Sequence, residues 1–210
     1  MGRGYRDRAA AGSVLADALT RYAGRPDVVV LGLVRGGVPV AAAVAERLGV
    51  PLDVLVVRKL AVPGAPEVAF GALGPGGVRV DNAETAGRLP PAAAAAVVER
   101  AEGELSRREQ LYRAGRPPLD LAGRVAILVD DGLATGATAR AAAAVARRLG
   151  AARVVSAAPV GSMQACAALA SEVDELICPL RPVPFRAVSM YYGDFHQVTD
   201  AEVAAFLTPC

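Results

Sequence analysis

Two short stretches of the chain are apolar without interruption, and they constrain its fold more than any other feature. Residues 28–33 read VVVLGL and residues 125–129 read VAILV. Such runs are typical of strands that are buried on both faces of a parallel sheet, because a strand with one wet face alternates apolar and polar residues. Each run is followed by a glycine-containing turn and an alanine-rich helical pattern. The sequence therefore predicts strand–helix–strand units.

The same rhythm extends along most of the chain. It predicts further strands at 52–57, 153–160 and 173–178, and helices at 7–22, 38–48, 91–114, 136–149 and 200–207. Residues 68–73 and 78–80 predict a hairpin behind an irregular loop that contains Pro63, Gly64 and Pro66. The expected architecture is an α/β fold with an open, mainly parallel, doubly wound sheet. Helices flank the sheet and form right-handed crossovers between its strands.

Composition favours one self-contained domain. Hydrophobic residues make up 53% of the 210 residues and charged residues 21%, a balance that can fill a core. We predict a single domain over 1–210, in which the proline-rich and aromatic tail 179–210 is a candidate hood. Charged residues interrupt every apolar run before the roughly 18 residues that span a bilayer. The arginines at Arg3, Arg6 and Arg8 precede a helical pattern and not a signal peptide. We therefore expect a cytoplasmic protein with no membrane partner.

Charge and cysteine content exclude two further classes of site. The formal net charge of +2 is too small to indicate a nucleic-acid partner, and the arginines of 106–116 are expected to be solvated on an exposed helix. The three cysteines, Cys166, Cys178 and Cys210, are odd in number and widely spaced, so we predict neither a disulfide framework nor a zinc site. The single histidine, His196, is expected to be a packing or surface residue.

The strongest chemical signal is the segment 125–139, VAILVDDGLATGATA. Ligands of parallel sheets bind beyond the carboxyl ends of the strands, and Asp130 and Asp131 directly follow such a strand. Carboxylates at this place accept hydrogen bonds from vicinal hydroxyls or approach a divalent cation. The glycines permit tight turns, while the amides and hydroxyls of 134–138 lie where a helix begins. The segment therefore predicts a phosphate site at the positive end of a helix dipole.

Other interpretations of this segment are weaker. Asp, Gly and Thr are ordinary turn and capping residues, but an apolar strand, two acids and Thr-Gly-Ala-Thr in that order favour ligand binding. The segment is not a P-loop, because no Lys follows Gly136 and the glycine spacing is one residue short. Gly32, Gly36 and Gly37 also fail to form the GxGxxG pattern of dinucleotide-binding proteins.

VAILVDDGLATGAT resembles the phosphoribosyl pyrophosphate signature of the type I phosphoribosyltransferases. The resemblance implies that Asp130 and Asp131 contact the ribose hydroxyls and approach Mg²⁺, directly or through those hydroxyls and water. It also implies a loop that holds the 5-phosphate of the donor, formed by Ala134, Thr135, Gly136, Ala137 and Thr138, with Gly132 as a further substrate-binding residue.

A second segment carries the same resemblance. GLVRGG, residues 32–37, is similar to the pyrophosphate loop of the xanthine-guanine enzymes, which implies that Arg35 and the amides of Gly36 and Gly37 face pyrophosphate. Lys59 opens the proline-glycine loop, and we expect it to neutralise pyrophosphate when that loop closes. YRDRAAAGSVLADAL and YYGDFHQVTDAEV, near the two ends of the chain, resemble segments of a poorly characterised bacterial group of this family.

The resemblance implies transfer of ribose 5-phosphate from 5-phosphoribosyl 1-pyrophosphate to a nitrogen nucleophile, expected to be a nucleobase, with Mg²⁺ and release of pyrophosphate. The acceptor stays open, because the 6-oxopurine enzymes carry an Asp where this chain has Ala134. Tyr191 and Tyr192 are candidates to stack on a planar base. The alternative is that they form an aromatic plug against the first helix or against the partner of a homodimer, an assembly common in this fold.

Two other classes of function are compatible with the same signature. Some members of the fold bind the donor as regulators and do not catalyse transfer. A hydrolase or phosphatase of phosphorylated sugars would also use a ribose and phosphate site. Release of pyrophosphate that depends on a base separates the transferase from both classes.

Overall fold

The computed structural model describes residues 4–82, 85, 87, 89–113 and 115–208, except for the side chains of Pro66 and Glu67. Sequence predictions for Arg3, Ala114 and Cys210 fall outside these residues. Five strands form a parallel sheet in the order β2-β1-β6-β7-β8, which confirms the expected α/β fold. They are β1 Val28–Leu33, β2 Leu52–Leu55, β6 Val125–Val129, β7 Arg153–Ala157 and β8 Glu175–Ile177.

Helices cover both faces of this sheet. Asp7 begins the first helix, because its Oδ1 accepts a hydrogen bond from the Ala10 amide at 2.8 Å. That helix ends at Asp17, and Thr20–Tyr22 forms a separate 3₁₀ turn, so the predicted helix 7–22 was too long. The described helices are α1 Arg8–Asp17, α2 Gly37–Leu48, α3 Pro91–Arg113, α4 Ala137–Arg148, α5 Met163–Ala170 and α6 Asp200–Leu207.

The apolar runs are buried on both faces, as their composition predicts. Along β1, Val28 and Val30 pack in the cluster that contains α1 and α2, whereas Val29 and Leu31 pack in the cluster that contains α4. Residues of β6 alternate between the same two clusters. This alternation is the period of two that a strand imposes on its side chains. The sheet is therefore a central layer with no wet face at β1 and β6.

A second, antiparallel sheet has the order β3-β4-β5 and consists of β3 Arg58–Val62, β4 Ala65–Gly74 and β5 Val78–Asp81. The predicted hairpin corresponds to β4 and β5, but the expectation that Lys59 opens an irregular loop is wrong. Lys59 lies on β3 opposite Ala72. Regular structure is possible despite Pro66 because Ala61 pairs with Ala69 and Val62 with Ala65, so the residues between them bulge out of the ladder.

The long helix α3 has the predicted extent, but its last two described residues, Tyr112 and Arg113, are buried. Arg113 is 9% exposed, and its Nε and Nη2 donate to the Asp53 carboxylate at 3.0 and 2.9 Å. The expectation of a solvated arginine run is therefore wrong for Arg113, whereas Arg107 pairs with Glu104 on the outer surface. The Asp53 pair fastens the end of α3 to β2.

The tail from Pro179 folds back on the N-terminal segment. Tyr5 donates its amide to the Tyr191 carbonyl at 2.7 Å, and the Gly193 amide donates to the Tyr5 carbonyl at 2.8 Å. A capping box of Thr199 and Glu202 begins α6, which confirms the predicted helix 200–207. Across the described part of the chain, every helix is too short or too polar to cross a membrane.

We predict that Arg113→Gln destabilises the fold. The substitution leaves the Asp53 carboxylate partly buried without its main partner, which typically costs about 3 kcal/mol and corresponds to a fall in Tm of roughly 6–12 °C. Thermal unfolding followed by circular dichroism measures this. Arg107→Gln is the matched control on the same helix, and its Tm should stay at the wild-type value because its pair with Glu104 is exposed. Equal Tm values for the two variants would contradict the role of Arg113.

Candidate functional site

The pairing of β1 with β6 brings two predicted loops together. Gly32 lies opposite Val129, so the residues that follow both strands emerge side by side at the carboxyl edge of the sheet. The approach is close enough to require glycine. A Cβ on Gly37 would lie 2.3 Å from the Val129 carbonyl oxygen, and one on Gly36 would lie 2.0 Å from Oδ2 of Asp131. The arginine-glycine loop therefore rests directly on the acidic segment.

The two acids have different environments. Asp130 Oδ1 accepts a hydrogen bond from the Asp131 amide at 2.9 Å. Asp131 Oδ2 accepts one from Nε of Arg8 at 3.0 Å, with Nη2 of Arg8 at 2.9 Å. No other described residue donates a hydrogen bond to Oδ2 of Asp130 or to Oδ1 of Asp131. One oxygen of each acid is thus left for a ligand.

Burial of this pair changes its acid–base properties. Burial, and then the adjacent Asp131 carboxylate, raise the pKa of Asp130 to about 8. Burial also raises the pKa of Asp131, and its hydrogen bond and ion pair with Arg8 oppose that shift. A pair of neighbouring carboxylates in a poorly solvated place attracts cations and hydrogen-bond donors.

The loop after the acids is held by hydrogen bonds to the segment that follows β7. The Leu133 amide donates to the Val160 carbonyl and the Ser162 amide donates to the Leu133 carbonyl, both at 2.9 Å. Ser162 Oγ also donates to the Ala134 carbonyl at 2.9 Å. Gly136 has φ +73°, a left-handed conformation that favours glycine, and α4 begins at the next residue.

The predicted phosphate loop therefore has the geometry of an anion site. Amides at the start of α4 have no partner within the helix, and the helix dipole adds positive potential there. Three of the predicted loop residues have exposed side chains: Ala134, Thr135 and Thr138. Gly132 is held from the other side, because a Cβ there would lie 2.5 Å from Cγ1 of Val188 in the tail.

The two predicted cations line different cavities. Arg35 is in a cavity of about 360 Å³ together with Arg8, Gly36, Asp131 and residues 195–198. Its Nη1 lies 3.7 Å from Oδ1 of Asp200, and the Arg35 side chain is 34% exposed. Lys59 instead lines a groove of about 730 Å³ between the small sheet and α4. The structure thus brings Arg35 to the acids and places Lys59 beside the first turns of α4.

The two predicted tyrosines differ in exposure. Tyr192 is 8% exposed, its ring packs against Tyr5 and Phe195, and its hydroxyl donates to the Asp131 carbonyl at 2.6 Å. Burial raises its pKa, and its ring is covered, so the packing interpretation fits Tyr192 better than base stacking does. Tyr191 is partly exposed and stacks on Phe185 with a centroid distance of 5.8 Å.

Sequence reasoning missed Arg8. Its side chain is buried against the acids, although nothing in its residue type separates it from Arg6, which is exposed. The register of α1, set by the Asp7 cap, turns Arg8 inward. His196 is exposed and contacts Asp194 and Glu202 through its ring, as expected for a surface residue, and its carbonyl accepts from Arg8 at 2.8 Å.

The fold and this site define a class of protein. A parallel sheet that carries an acidic pair after one strand, a glycine-threonine loop leading into a helix, and an arginine-glycine loop after the neighbouring strand is the arrangement of the type I phosphoribosyltransferases. The family model described as a phosphoribosyl transferase domain matches residues 7–181, and the chain belongs to this family.

Two relatives extend the comparison. The chain is 52% identical over 205 residues, 97% of its length, to a Mycobacterium tuberculosis H37Rv protein that carries the provisional name phosphoribosyl transferase. The match covers 46% of that protein, so the chain spans about half the length of this relative. The crystal structure of the Thermus thermophilus protein TT1426 is similar with a TM-score of 0.90 and 44% identity, and the match covers 97% of each chain.

We predict that Gly37→Ala destabilises the protein, because its Cβ would meet the backbone of Val129 and the two loops would have to separate. Overpacking of this kind costs about 1–3 kcal/mol. Gly103→Ala is the control, because Gly103 lies in exposed α3 with open space around it and should gain about 0.5–1 kcal/mol. Urea denaturation measures both changes. A neutral or stabilising Gly37→Ala would show that the loops are not in contact.

We also predict that Asp130→Asn stabilises the ligand-free protein at neutral pH. The native state keeps a proton on Asp130 that the unfolded state loses above about pH 4, so wild-type stability declines as pH rises toward 8. Asparagine has no such proton and avoids repulsion by Asp131. The expected gain at pH 8 is at least about 1 kcal/mol, or about 2–4 °C in Tm.

The measurement is a series of thermal melts from pH 5 to pH 8 without added divalent cations. The gain should grow with pH. Asp27→Asn is the control, because a hydrogen bond from Arg25 lowers the pKa of Asp27, so this variant should show no gain. A pH-independent difference between Asp130→Asn and wild type would contradict the prediction.

Proposed function

We propose that the chain transfers the 5-phosphoribosyl group of 5-phosphoribosyl 1-pyrophosphate to a nitrogen nucleophile, with release of pyrophosphate. One observation carries the proposal: two acids, each with a carboxylate oxygen that receives no other described hydrogen bond, lie beside the loop of Arg35 and are followed by the glycine-threonine turn that begins α4. The donor has hydroxyls between two phosphate groups. Its chemistry matches the site in the same order.

Each part of the donor has a proposed partner. Asp130 and Asp131 accept hydrogen bonds from the ribose hydroxyls through their free oxygens. The 5-phosphate binds the amides and hydroxyls of 134–138, and pyrophosphate binds Arg35 with the amides of Gly36 and Gly37. Lys59 forms no ion pair with any described residue and is partly buried beside α4, which supports a role in neutralising the donor phosphates.

The donor set of the acidic pair also fits Mg²⁺. No described cluster joins three or more acidic, histidine or cysteine side chains, so the protein would contribute the two carboxylates alone. Mg²⁺ is commonly held by one or two carboxylates together with waters and substrate phosphates, which suits Asp130 and Asp131. When bound, the cation would neutralise charge that develops on the departing pyrophosphate.

In this reaction the bond between C1 of the ribose and the pyrophosphate oxygen breaks, and a bond from C1 to the acceptor nitrogen forms. The nitrogen supplies the electron pair, and no nucleophilic side chain is required. The chain's own contribution is to orient the ribose through the acids and to stabilise the leaving group through Arg35. Closure over the site would exclude water that hydrolyses the sugar.

The acceptor is proposed to be a nucleobase held by the C-terminal hood, 179–210. Val188 of this segment lies against Gly132, next to the donor site, and the Phe185–Tyr191 stack lies in the same segment. Ala134 is exposed and offers no acid to a purine, which argues against the usual 6-oxopurine contact. We further infer that the chain is one domain that acts on small molecules in the cytoplasm. We also infer that it forms a homodimer, which analytical ultracentrifugation tests.

We predict that Asp130→Asn with Asp131→Asn weakens donor binding by about 10–100-fold, because two charged hydrogen-bond acceptors become neutral amides. Calorimetry with 5-phosphoribosyl 1-pyrophosphate and Mg²⁺ measures the affinity. Asp120→Asn, an acid outside the site, is the control and should bind as wild type does. Unchanged donor affinity in the double variant would contradict the site assignment.

The activity assay separates the classes of function. Pyrophosphate release is followed with the donor, Mg²⁺ and a panel of purines, pyrimidines and small amines. Release that depends on one of these nucleophiles supports the transferase. Donor binding without release for any of them indicates a regulator, and steady formation of ribose 5-phosphate without a base indicates a hydrolase.

A further inference from the structure

The guanidinium of Arg8 is fixed on every side. Its Nε and Nη2 lie 3.0 and 2.9 Å from Oδ2 of Asp131, and Nη1 donates to the His196 carbonyl at 2.8 Å. The ring of Phe195 covers its face, with the guanidinium carbon 4.0 Å from the ring centroid. Only 7% of the residue is exposed. A cation held in this way has little capacity left for a ligand.

The consequence falls on Asp131. Arg8 occupies Oδ2 and the Tyr192 hydroxyl occupies the Asp131 carbonyl, so the residue is held at both ends and presents Oδ1 alone. The same Oδ2 lies under Gly36, where a Cβ would approach it to 2.0 Å. The position of Oδ2 therefore determines where the arginine-glycine loop packs. Because both oxygens belong to one carboxylate, it also determines where Oδ1, the proposed ribose acceptor, lies.

Arg35 is the contrasting cation in the same cavity. It is about one-third exposed and lies 3.7 Å from Asp200, a distance at which a charge pair is weak and a ligand can displace it. The two arginines of the cavity thus differ in their contacts. Arg8 binds atoms of the protein, whereas the Arg35 guanidinium is available to a ligand.

We propose that Arg8 is a positioning residue for donor binding: it preorganises Asp131 and fastens residues 195 and 196 of the tail beside it. The inference rests on the proposed donor site. Preorganised side chains bind with less loss of conformational entropy, so the effect appears as donor affinity. Arg8 itself does not touch the donor.

Substitution of Arg8 leaves other links between the chain ends. Tyr5 pairs with Tyr191 and Gly193 through the backbone, and the Asp194 amide donates to the Arg6 carbonyl at 2.8 Å. These bonds do not involve the Arg8 side chain. They keep the tail near α1 in variants that lack the guanidinium, so the variants remain suitable for binding measurements.

The test compares Arg8→Gln, Arg8→Lys and the matched control Arg6→Gln, whose side chain is 82% exposed and pairs with Asp7 alone among the described residues. Affinity for 5-phosphoribosyl 1-pyrophosphate with Mg²⁺ is measured by calorimetry, and affinity for inorganic phosphate by NMR titration. We expect Arg8→Gln to weaken donor binding about 10-fold or more. Arg8→Lys should recover part of the loss, and Arg6→Gln should match wild type.

Two further readouts distinguish positioning from general stabilisation. Phosphate binding at 134–138 should be unchanged in Arg8→Gln, since that loop is anchored from Val160 and Ser162. In the background of Asp131→Asn, Arg8→Gln should add no further loss, because its effect passes through Asp131. Equal losses of donor and phosphate affinity, or full additivity with Asp131→Asn, would overturn the inference.

The outcomes also separate this inference from the proposed function. If wild type binds the donor, Asp131→Asn weakens binding and Arg8→Gln binds normally, the positioning role is wrong and the donor site stands. If wild type does not bind the donor, the proposed function and the inference that rests on it both fall.

Discussion

The parallel pairing of β1 with β6 is the constraint on which the rest of the site depends. Both strands are apolar on both faces, so neither can slip by one residue without exchanging the side chains of two separate cores. The register then fixes where each strand ends. Gly32 lies beside Val129, and the arginine-glycine loop meets the acidic pair with no room for a Cβ at Gly36 or Gly37. Local geometry of the site is a consequence of long-range packing.

Burial of the acidic pair lowers the stability of the fold, and the contacts of the two acids offset only part of that loss. Burial raises the pKa of both carboxyls, which shows that the charged forms are disfavoured where they stand. Arg8 neutralises Asp131, whereas Asp130 receives only the Asp131 amide among the described contacts. Sites that hold such poorly stabilised acids before a ligand arrives are typical of function. Both of these carboxyls lie where we propose that the ribose and Mg²⁺ bind.

The sequence predicted the parts of this architecture that depend on neighbours in the chain. Runs 28–33 and 125–129 indicated the buried strands, because strand burial has a local signature. The prediction failed for β3, where pairing with β4 overrides the proline-glycine composition that suggested a loop, so Lys59 was assigned to the wrong kind of element. Arg8 shows a different limit, since it contacts Asp131 across 123 residues of chain and no periodicity or composition reports on such a contact. A contact between side chains that are far apart in the sequence is seen only in the three-dimensional structure.

The contrast between the two arginines suits the chemistry that we propose. During transfer the ribose stays on the protein while pyrophosphate leaves, so the groups that hold the sugar and those that hold the leaving group need different mobility. Asp131 is fixed by Arg8 and Tyr192, and the loop before α4 is fixed by Ser162. Among the described residues, the Arg35 side chain pairs with an acid of α6 alone, and at a long distance. In the proposed assignment, rigid support therefore lies under the part of the donor that remains, and the loosely held cation lies where the departing group is released.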